Sequence, residues 1–265
     1  MRIYVVCDLE GTAGVVNHRA QCWFDGAYYA QARRWATLEL NALVEGALAG
    51  GATEIVAWDG HGPFPGGLDI ELVHPACRVI LNAGEGGPPL LDQGWDALFQ
   101  CGLHGMADAP LGVLDHSFEP GIAAFWLNDV LMGEVGMNIA TAGSHGVPCV
   151  FLAGDRAGAD EAQALAPGLV AAVVKEGLRE QGGFDAPALS LSPAAARELI
   201  RARAQEAMDA ARSARIGQVR PWAPEPPYVL RTRYRTVERA EQEAARPGVR
   251  RLDAYTVEEI AQTLG

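Results

Sequence analysis

Five carboxylate and imidazole side chains follow short apolar segments of the chain and together could bind metal ions. They are Asp8, Glu10, His61, His104 and Glu134. Carboxylate oxygens and imidazole nitrogens in combination suit Zn²⁺, Mn²⁺ and similar ions. One catalytic zinc ion usually has three protein ligands, so five candidates predict two ions that share one bridging carboxylate.

Each of these residues, considered alone, also has a purely structural interpretation. Asp8 could cap a helix or the loop backbone, which explains its position at least as well as metal binding does. A single histidine beyond a strand is more often a structural residue than a ligand. The repetition of such residues after successive apolar segments is what favours a metal site.

The elements that must position these side chains alternate between strands and helices. Apolar runs with β-branched residues predict strands, and apolar positions at helical spacing predict the helices between them. The predicted strands span residues 3–7, 54–58, 78–81, 97–101, 125–127, 147–152 and 169–174, and the predicted helices residues 28–49, 134–144 and 160–165. The fold class is therefore α/β, with a mostly parallel central sheet and helices on both faces. Ligands bind beyond the carboxyl ends of the strands in such sheets, which is where the five candidates lie.

The last third of the chain has a different composition. An alanine- and arginine-rich run predicts a long helix, and a proline-rich connector then leads to a half-exposed strand and two further helices. These predicted elements span residues 193–216, 228–235, 236–245 and 256–264. We therefore predict a metal-binding α/β catalytic domain at residues 1–185 and a smaller α+β subdomain at residues 186–265.

Length, charge and cysteine content limit the classes of function. A chain of 265 residues that is 49% hydrophobic can bury a large core. The formal net charge of −12 argues against binding to nucleic acids or anionic membranes, because both would repel it. No apolar stretch approaches the roughly 20 residues of a membrane helix, and no signal peptide is recognised, so a cytoplasmic protein is expected. The five cysteines show no CxxC spacing and are predicted to be reduced core residues.

Several other polar residues have both a functional and a structural interpretation. Asp59 could orient the ring of His61, and capping of the loop backbone is an equally good explanation. Asn128 and Asn138 could border the site, but turn and helix hydrogen bonding explains each of them better. Surface or structural roles are expected for the remaining histidines, His18, His74 and His145.

Seven motifs in order along the chain resemble the zinc-dependent D-aminopeptidases of peptidase family M55. The motifs are CDLEGTAG, WDGHG, CGLHG, LDHSF, NDVLMGEVGMN, GVPCVFLAGD and VVKEG. Each motif is modest alone, whereas their common order and spacing are specific. The resemblance extends over essentially the whole chain.

The resemblance implies a role for each candidate residue. Asp8 matches the carboxylate that bridges two zinc ions, and Glu10, His61, His104 and Glu134 match the remaining ligands. His116, in LDHSF, matches the catalytic histidine, whose role as base, nucleophile or oxyanion stabiliser the sequence leaves open. The implied reaction is the hydrolysis of short peptides with an N-terminal D-amino acid, such as D-alanyl peptides, by attack of a metal-bound water. The resemblance also implies a homo-oligomer, a decamer of stacked pentamers.

Two other classes of function remain as alternatives. A dinuclear metal site also suits another amidohydrolase or a phosphoesterase. A non-catalytic α/β module that binds a small peptide or nucleotide would keep the same loops without productive metals. The turn at residues 11–14 lacks the lysine of a P-loop and the GxGxxG pattern, which argues against direct phosphate binding.

Overall fold

Two β-sheets and six α-helices form the architecture in the computed structural model, which describes residues 1–62, 64–82, 86–215 and 219–264. The strands are β1 (Arg2–Cys7), β2 (Glu54–Asp59), β3 (Cys77–Ile80), β4 (Ala97–Leu103), β5 (Ile122–Leu127), β6 (Val130–Leu131), β7 (Cys149–Asp155), β8 (Val170–Gly177), β9 (Ala188–Ser190), β10 (Tyr228–Tyr234), β11 (Val249–Arg251) and β12 (Thr256–Ala261). The helices are α1 (His18–Gln21), α2 (Tyr29–Ala49), α3 (Glu134–Ser144), α4 (Arg156–Leu165), α5 (Pro193–Arg215) and α6 (Val237–Ala244), with a 3₁₀ turn at Ile70–Leu72.

The larger sheet has seven strands in the order β3-β2-β1-β4-β7-β8-β9. Neighbouring strands are parallel except β8 and β9, which pair antiparallel at one edge. Strand β1 lies between β2 and β4, with Cys7 in register with Asp59 on one side and Cys101 on the other. The carboxyl ends of these three strands therefore meet at one place on the sheet edge.

Alternate residues of β1 face two separate hydrophobic layers, as expected for a strand buried on both faces. Ile3 and Val5 pack with buried residues of α2 and α5, whereas Tyr4 and Val6 pack with buried residues of α3 and α4. The predicted α/β fold, with a mostly parallel sheet and helices on both faces, is confirmed. All five cysteines are buried free thiols, as predicted.

The second sheet has five antiparallel strands in the order β11-β12-β10-β5-β6. It combines β5 and β6 with three strands from the end of the chain. Residue 185 therefore does not separate the strands of one sheet from those of the other. The separation into domains at residues 1–185 and 186–265 stays a prediction. No helix among the described residues is long and apolar enough to cross a membrane.

The predicted helix at residues 256–264 is wrong, because Thr256–Ala261 forms the interior strand β12, between β11 and β10. Glu258 there lies opposite Arg231 of β10 and Arg250 of β11, and it accepts a hydrogen bond from Arg250 at 2.6 Å. These cross-strand partners decide the conformation of a short segment whose own pattern is ambiguous. Strands β6, β9 and β11 and the short helix α1 were also absent from the predicted elements. The predicted end of the long helix near residue 216 lies outside the described residues.

Candidate metal centre

The turn after β1 is packed directly against the end of β4. The backbone N–H of Gly11 donates to the carbonyl oxygen of Gly102 at 2.7 Å, and that of Asp8 donates to Cys101 at 2.9 Å. A Cβ atom on Gly11 would lie 2.0 Å from the carbonyl oxygen of Leu103, so this position requires glycine. The close approach fixes the direction in which Asp8 and Glu10 leave the strand.

Four of the predicted ligands surround the carboxylate of Asp8. Its Oδ1 lies 3.1 Å from Nδ1 of His61, and its Oδ2 lies 3.4 Å from Nε2 of His104. The same Nδ1 of His61 lies 3.0 Å from Oε2 of Glu10, and Nε2 of His104 lies 3.8 Å from Oε2 of Glu134. The structure thus brings all five residues together, with Asp8 between two imidazoles that come from the strands on either side.

The three imidazoles at this centre are held by backbone carbonyl groups on their far side. Nε2 of His61 lies 2.9 Å from the carbonyl oxygen of Cys22, Nδ1 of His104 2.9 Å from that of Gly105, and Nδ1 of His116 2.8 Å from that of Leu114. A carbonyl oxygen only accepts, so each of these nitrogens carries the proton. When such a ring is neutral, its other nitrogen presents a lone pair, which is the form that binds metals.

The donor set fits a pair of zinc ions. Neutral rings of His61 and His104 would repel the carboxylate oxygens that they face at 3.0–3.4 Å, so a proton or a metal cation must lie between them. Ligand atoms about 2.0–2.2 Å from a common zinc ion have about this separation from one another. Moreover, His104 Nε2 and Glu10 Oε2 are buried without a hydrogen-bond partner among the described residues. The potential ligand atoms form two groups, and within each group the atoms lie within 4.8 Å of one another. One group is formed by Asp8, Glu10 and His104, and the other by His104, His116 and Glu134.

The carboxylates also determine how the imidazoles titrate. Burial lowers the pKa of His61, but Glu10 and Asp8 outweigh it and hold that pKa well above its usual value. Burial opposes ionisation of Asp8, yet its contacts with His104 and His61 hold the pKa of this carboxyl well below the usual range. Burial raises the pKa of Glu134, against the influence of His104. The carboxylates therefore favour a positive charge at the imidazoles, either a bound proton or a bound metal ion. Protons and metal compete for the same nitrogen lone pairs.

His116 lies against the second of these groups. Its ring is stacked on that of His104, with 4.2 Å between the centroids and 10° between the planes, and its Nε2 lies 3.8 Å from Oε1 of Glu134. The backbone N–H of Phe118 donates to the same Oε1 at 2.6 Å. The loop that carries His116 is thus attached to the first residue of α3.

His18, for which a surface or structural role is predicted, lies beside this centre. Its ring stacks on Phe184 at 4.3 Å between centroids and meets the ring of His116 edge-on at 5.9 Å. Its Nε2 lies 4.0 Å from Oε1 of Glu10. Burial lowers the pKa of His18, opposed by Glu10. Its position eight residues after the predicted ligand Glu10, in the segment between β1 and α2, was the only signal in the sequence.

The other polar residues have structural partners. Asp59 accepts from the backbone N–H groups of Gly67 and Leu68 at 2.8 and 3.1 Å, which is the capping alternative. Asn128 accepts from Val229 at 2.6 Å, and Asn138 donates to Gln100 at 3.2 Å. His74 accepts from Ala76 at 3.1 Å, and His145 is exposed at the end of α3.

Two buried residues that the sequence analysis did not identify form hydrogen bonds with the backbone of the segments that carry Glu10 and Glu134. The ammonium group of Lys175 donates to the carbonyl oxygens of Glu10 and Val15. Burial lowers the pKa of Lys175 to about 8, opposed by Asp155. The carboxylate of Glu161 accepts from Gly133 at 2.8 Å and from Gly136 at 2.9 Å, at the start of the helix that carries Glu134. Their partners come from distant parts of the chain, so no local sequence pattern reveals them.

Comparisons with known proteins show which proteins this chain resembles. The model of peptidase family M55, D-aminopeptidase, matches residues 1–264. A D-aminopeptidase of Bacillus subtilis (strain 168) is 32% identical over 206 residues, which are 76% of this chain and 71% of that protein. The solved structure of the zinc-dependent D-aminopeptidase DppA from Bacillus subtilis, a self-compartmentalizing protease, superposes with a TM-score of 0.87 at 28% identity. The match covers 99% of this chain and 92% of the other.

Proposed function

The chain belongs to peptidase family M55, the zinc-dependent D-aminopeptidases, and from this we propose that it removes the N-terminal D-amino acid from short peptides at a pair of zinc ions. D-alanyl peptides are the proposed substrate class. Asp8, Glu10, His61, His104 and Glu134 would hold the ions, with the carboxylate of Asp8 central among them. Because DppA is a self-compartmentalizing protease, we also propose that the chain works as a homo-oligomer, with a decamer as the expected form.

The position of Asp8 is the observation that carries this proposal. Each of its oxygens faces a different imidazole, at 3.1 Å for His61 and 3.4 Å for His104. A carboxylate that only capped the loop would direct its oxygens to backbone N–H groups. Oδ1 does accept from Leu9 at 2.7 Å, but Oδ2 is directed to His104, so capping explains half of the carboxylate at most.

Zinc held by these residues would polarise the scissile carbonyl as a Lewis acid and acidify water enough for it to act as a nucleophile near neutral pH. The chain's own residues have separate tasks in the proposed reaction. His116 presents the lone pair of Nε2, because its Nδ1 hydrogen is directed to the carbonyl oxygen of Leu114. It therefore accepts the proton of the attacking water and passes it to the leaving amine. Its stacking on His104 and its contact with Glu134 orient the ring for this transfer.

Metal analysis and a substrate panel test the proposal. Protein purified without chelator is expected to contain two equivalents of zinc per chain and to hydrolyse D-alanyl p-nitroanilide faster than the L-enantiomer. Chelation is expected to abolish this activity, and zinc to restore it. Folded protein without bound metal, or a zinc-loaded enzyme that prefers a phosphodiester, would contradict the proposal.

Two substitutions separate the proposed bridge from the proposed base. Asp8→Ala is expected to lose zinc and activity together, because both sites depend on this carboxylate. His116→Ala is expected to keep its zinc and lose at least about 100-fold in kcat, the usual contribution of a general base. The exposed His145 provides the control, since His145→Ala should change neither quantity. Loss of zinc from His116→Ala would make His116 a ligand.

A further inference from the structure

His18 presents an N–H hydrogen to the site, whereas the other three imidazoles present a lone pair. His61, His104 and His116 are each held by a carbonyl oxygen and present a lone pair. Nδ1 of His18 instead lies 3.1 Å from Nε1 of Trp23, whose indole N–H can only donate. Nδ1 of His18 is therefore the acceptor, and its Nε2 carries the hydrogen.

This N–H is directed into the site without a partner there. Glu10 Oε1 lies 4.0 Å from Nε2, which is too far for a hydrogen bond. No other acceptor within the described ranges forms a hydrogen bond with this nitrogen. The ring cannot rotate freely, because it is stacked on Phe184 at 4.3 Å with 20° between the planes and meets His116 edge-on. The side chain is 15% exposed, so a bound substrate can reach it.

From this arrangement, and resting on the function proposed above, we propose that His18 is a further catalytic residue, whose Nε2–H donates a hydrogen bond to the scissile carbonyl oxygen of the substrate. The carbonyl oxygen gains negative charge as water attacks, so the hydrogen bond is stronger in the transition state than in the bound substrate. Trp23 is a positioning residue, because its indole N–H fixes the tautomer of His18. No proton is transferred from His18 in this step.

The same contacts argue against a metal-binding role for His18. A metal ligand needs a lone pair at Nε2, which would place the hydrogen on Nδ1, opposite the indole hydrogen of Trp23. Binding of zinc by His18 would therefore break the hydrogen bond to Trp23. Zinc content distinguishes a donor from a ligand independently of turnover.

Two variants of His18 provide a matched pair for the test. His18→Phe keeps a ring that can stack on Phe184 but has no donor. His18→Gln keeps both functions, because its amide oxygen can accept from Trp23 and its amide nitrogen can donate to the substrate. The experiment measures kcat and KM for D-alanyl p-nitroanilide, zinc per chain, and the melting temperature of each zinc-loaded variant. His145→Phe is the control for an exposed histidine.

We expect His18→Phe to retain the zinc and melting temperature of the wild type and to lose about 100-fold or more in kcat with little change in KM, as after removal of an oxyanion donor. His18→Gln should recover part of this loss, and Trp23→Phe should lower kcat less than His18→Phe does. ¹⁵N NMR of the labelled imidazole should show hydrogen on Nε2 of His18 in the wild type. Loss of zinc from His18→Phe, hydrogen on Nδ1, or a rise in KM with unchanged kcat would each overturn the proposal.

The outcome for the wild type separates this proposal from the one on which it rests. A zinc-loaded wild type that does not hydrolyse D-aminoacyl substrates would overturn the proposed function, and the role of His18 with it. A fully active wild type with an equally active His18→Phe variant would overturn the role of His18 alone.

Discussion

Behind the turn that carries Asp8 and Glu10, the carboxyl group of Glu39 is buried in the main core. Only 1% of this residue is exposed, and its Oε1 accepts from the backbone N–H of Ala13 at 3.0 Å, while Oε2 is buried without a hydrogen-bond partner in the described part of the chain. Burial raises the pKa of Glu39 from 4.5 to about 7, opposed by the Ala13 N–H and by Lys175. Glu39 therefore holds the turn after β1 through its hydrogen bond to Ala13, and this requires the burial of an ionisable carboxyl group.

The pKa of Glu39 makes the stability of the fold depend on pH. Between pH 4.5 and about 7 the folded state binds more protons at this group than the unfolded chain does, so the free energy of unfolding falls as the pH rises through this window. The full shift corresponds to about 3 kcal/mol at most. Glu39→Gln keeps an acceptor for Ala13 and cannot ionise. We therefore expect its melting temperature, measured by calorimetry, to exceed that of the wild type by more at pH 8 than at pH 5.

Groups that do not interact with Glu39 titrate in the same way in both proteins, so their effects cancel in this comparison, whereas the effect of Lys175, whose pKa Glu39 raises, does not. A change of 1 kcal/mol corresponds to roughly 2–4 °C in a chain of this size. An equal difference in melting temperature at both pH values would show that Glu39 ionises as it does in the unfolded chain.

At the level of strands and helices, the sequence predicted those elements that a local pattern of residues determines. It also predicted which ligands meet, because the carboxyl ends of neighbouring parallel strands lie at the same edge of a sheet. Asp8, His61 and His104 could be assigned to one site because each follows a strand, and the structure places β1 between β2 and β4. The pattern could not predict that β12 pairs with β10 and β11, because the pairing partners of Glu258 lie on separate strands and one of them, Arg231, is 27 residues away in sequence. His18 was missed for the same reason, since Phe184 and His116 reach it only through the fold.

Helix α3 illustrates how one element positions a ligand through a partner from another. Its first residue is Glu134, but its N-cap, Gly133, has no side chain to accept the N–H groups of the first turn. Glu161 of α4 accepts them instead, at 2.8 Å from Gly133 and 2.9 Å from Gly136. A cap of this kind stabilises the start of a helix and so holds Glu134 in place.

Removal of this cap should loosen the helix start and weaken zinc binding. We expect Glu161→Ala to destabilise the fold by about 1–2 kcal/mol, the usual value for a lost cap, and to bind zinc more weakly. Glu161→Gln keeps an acceptor oxygen and should lose less of both. Chemical denaturation and competition with a zinc chelator measure the two effects. Unchanged zinc affinity in a destabilised Glu161→Ala variant would limit the cap to a role in folding.

At the scale of the whole molecule, we expect assembly to determine which peptides reach the zinc centre. DppA superposes on 99% of this chain and is a self-compartmentalizing protease. Enclosure excludes long or folded polypeptides before any contact with the catalytic residues. The restriction to short peptides would then be a property of the assembly, whereas the preference for a D-residue would be a property of the site.

These two levels of selection can be measured separately. We expect sedimentation equilibrium to give a mass close to ten times that of the chain, and kcat/KM to fall steeply as D-alanyl peptides are lengthened at the carboxyl end. Partial dissociation by dilution or mild denaturant should then raise the relative rate on long peptides, because the enclosed space opens while each chain keeps Asp8 and its neighbours. A chain that is monomeric at micromolar concentration and still rejects long peptides would place this selection in the site itself. The length limit would then be set by the walls around His18 and His116, and substitutions there would be expected to relax it.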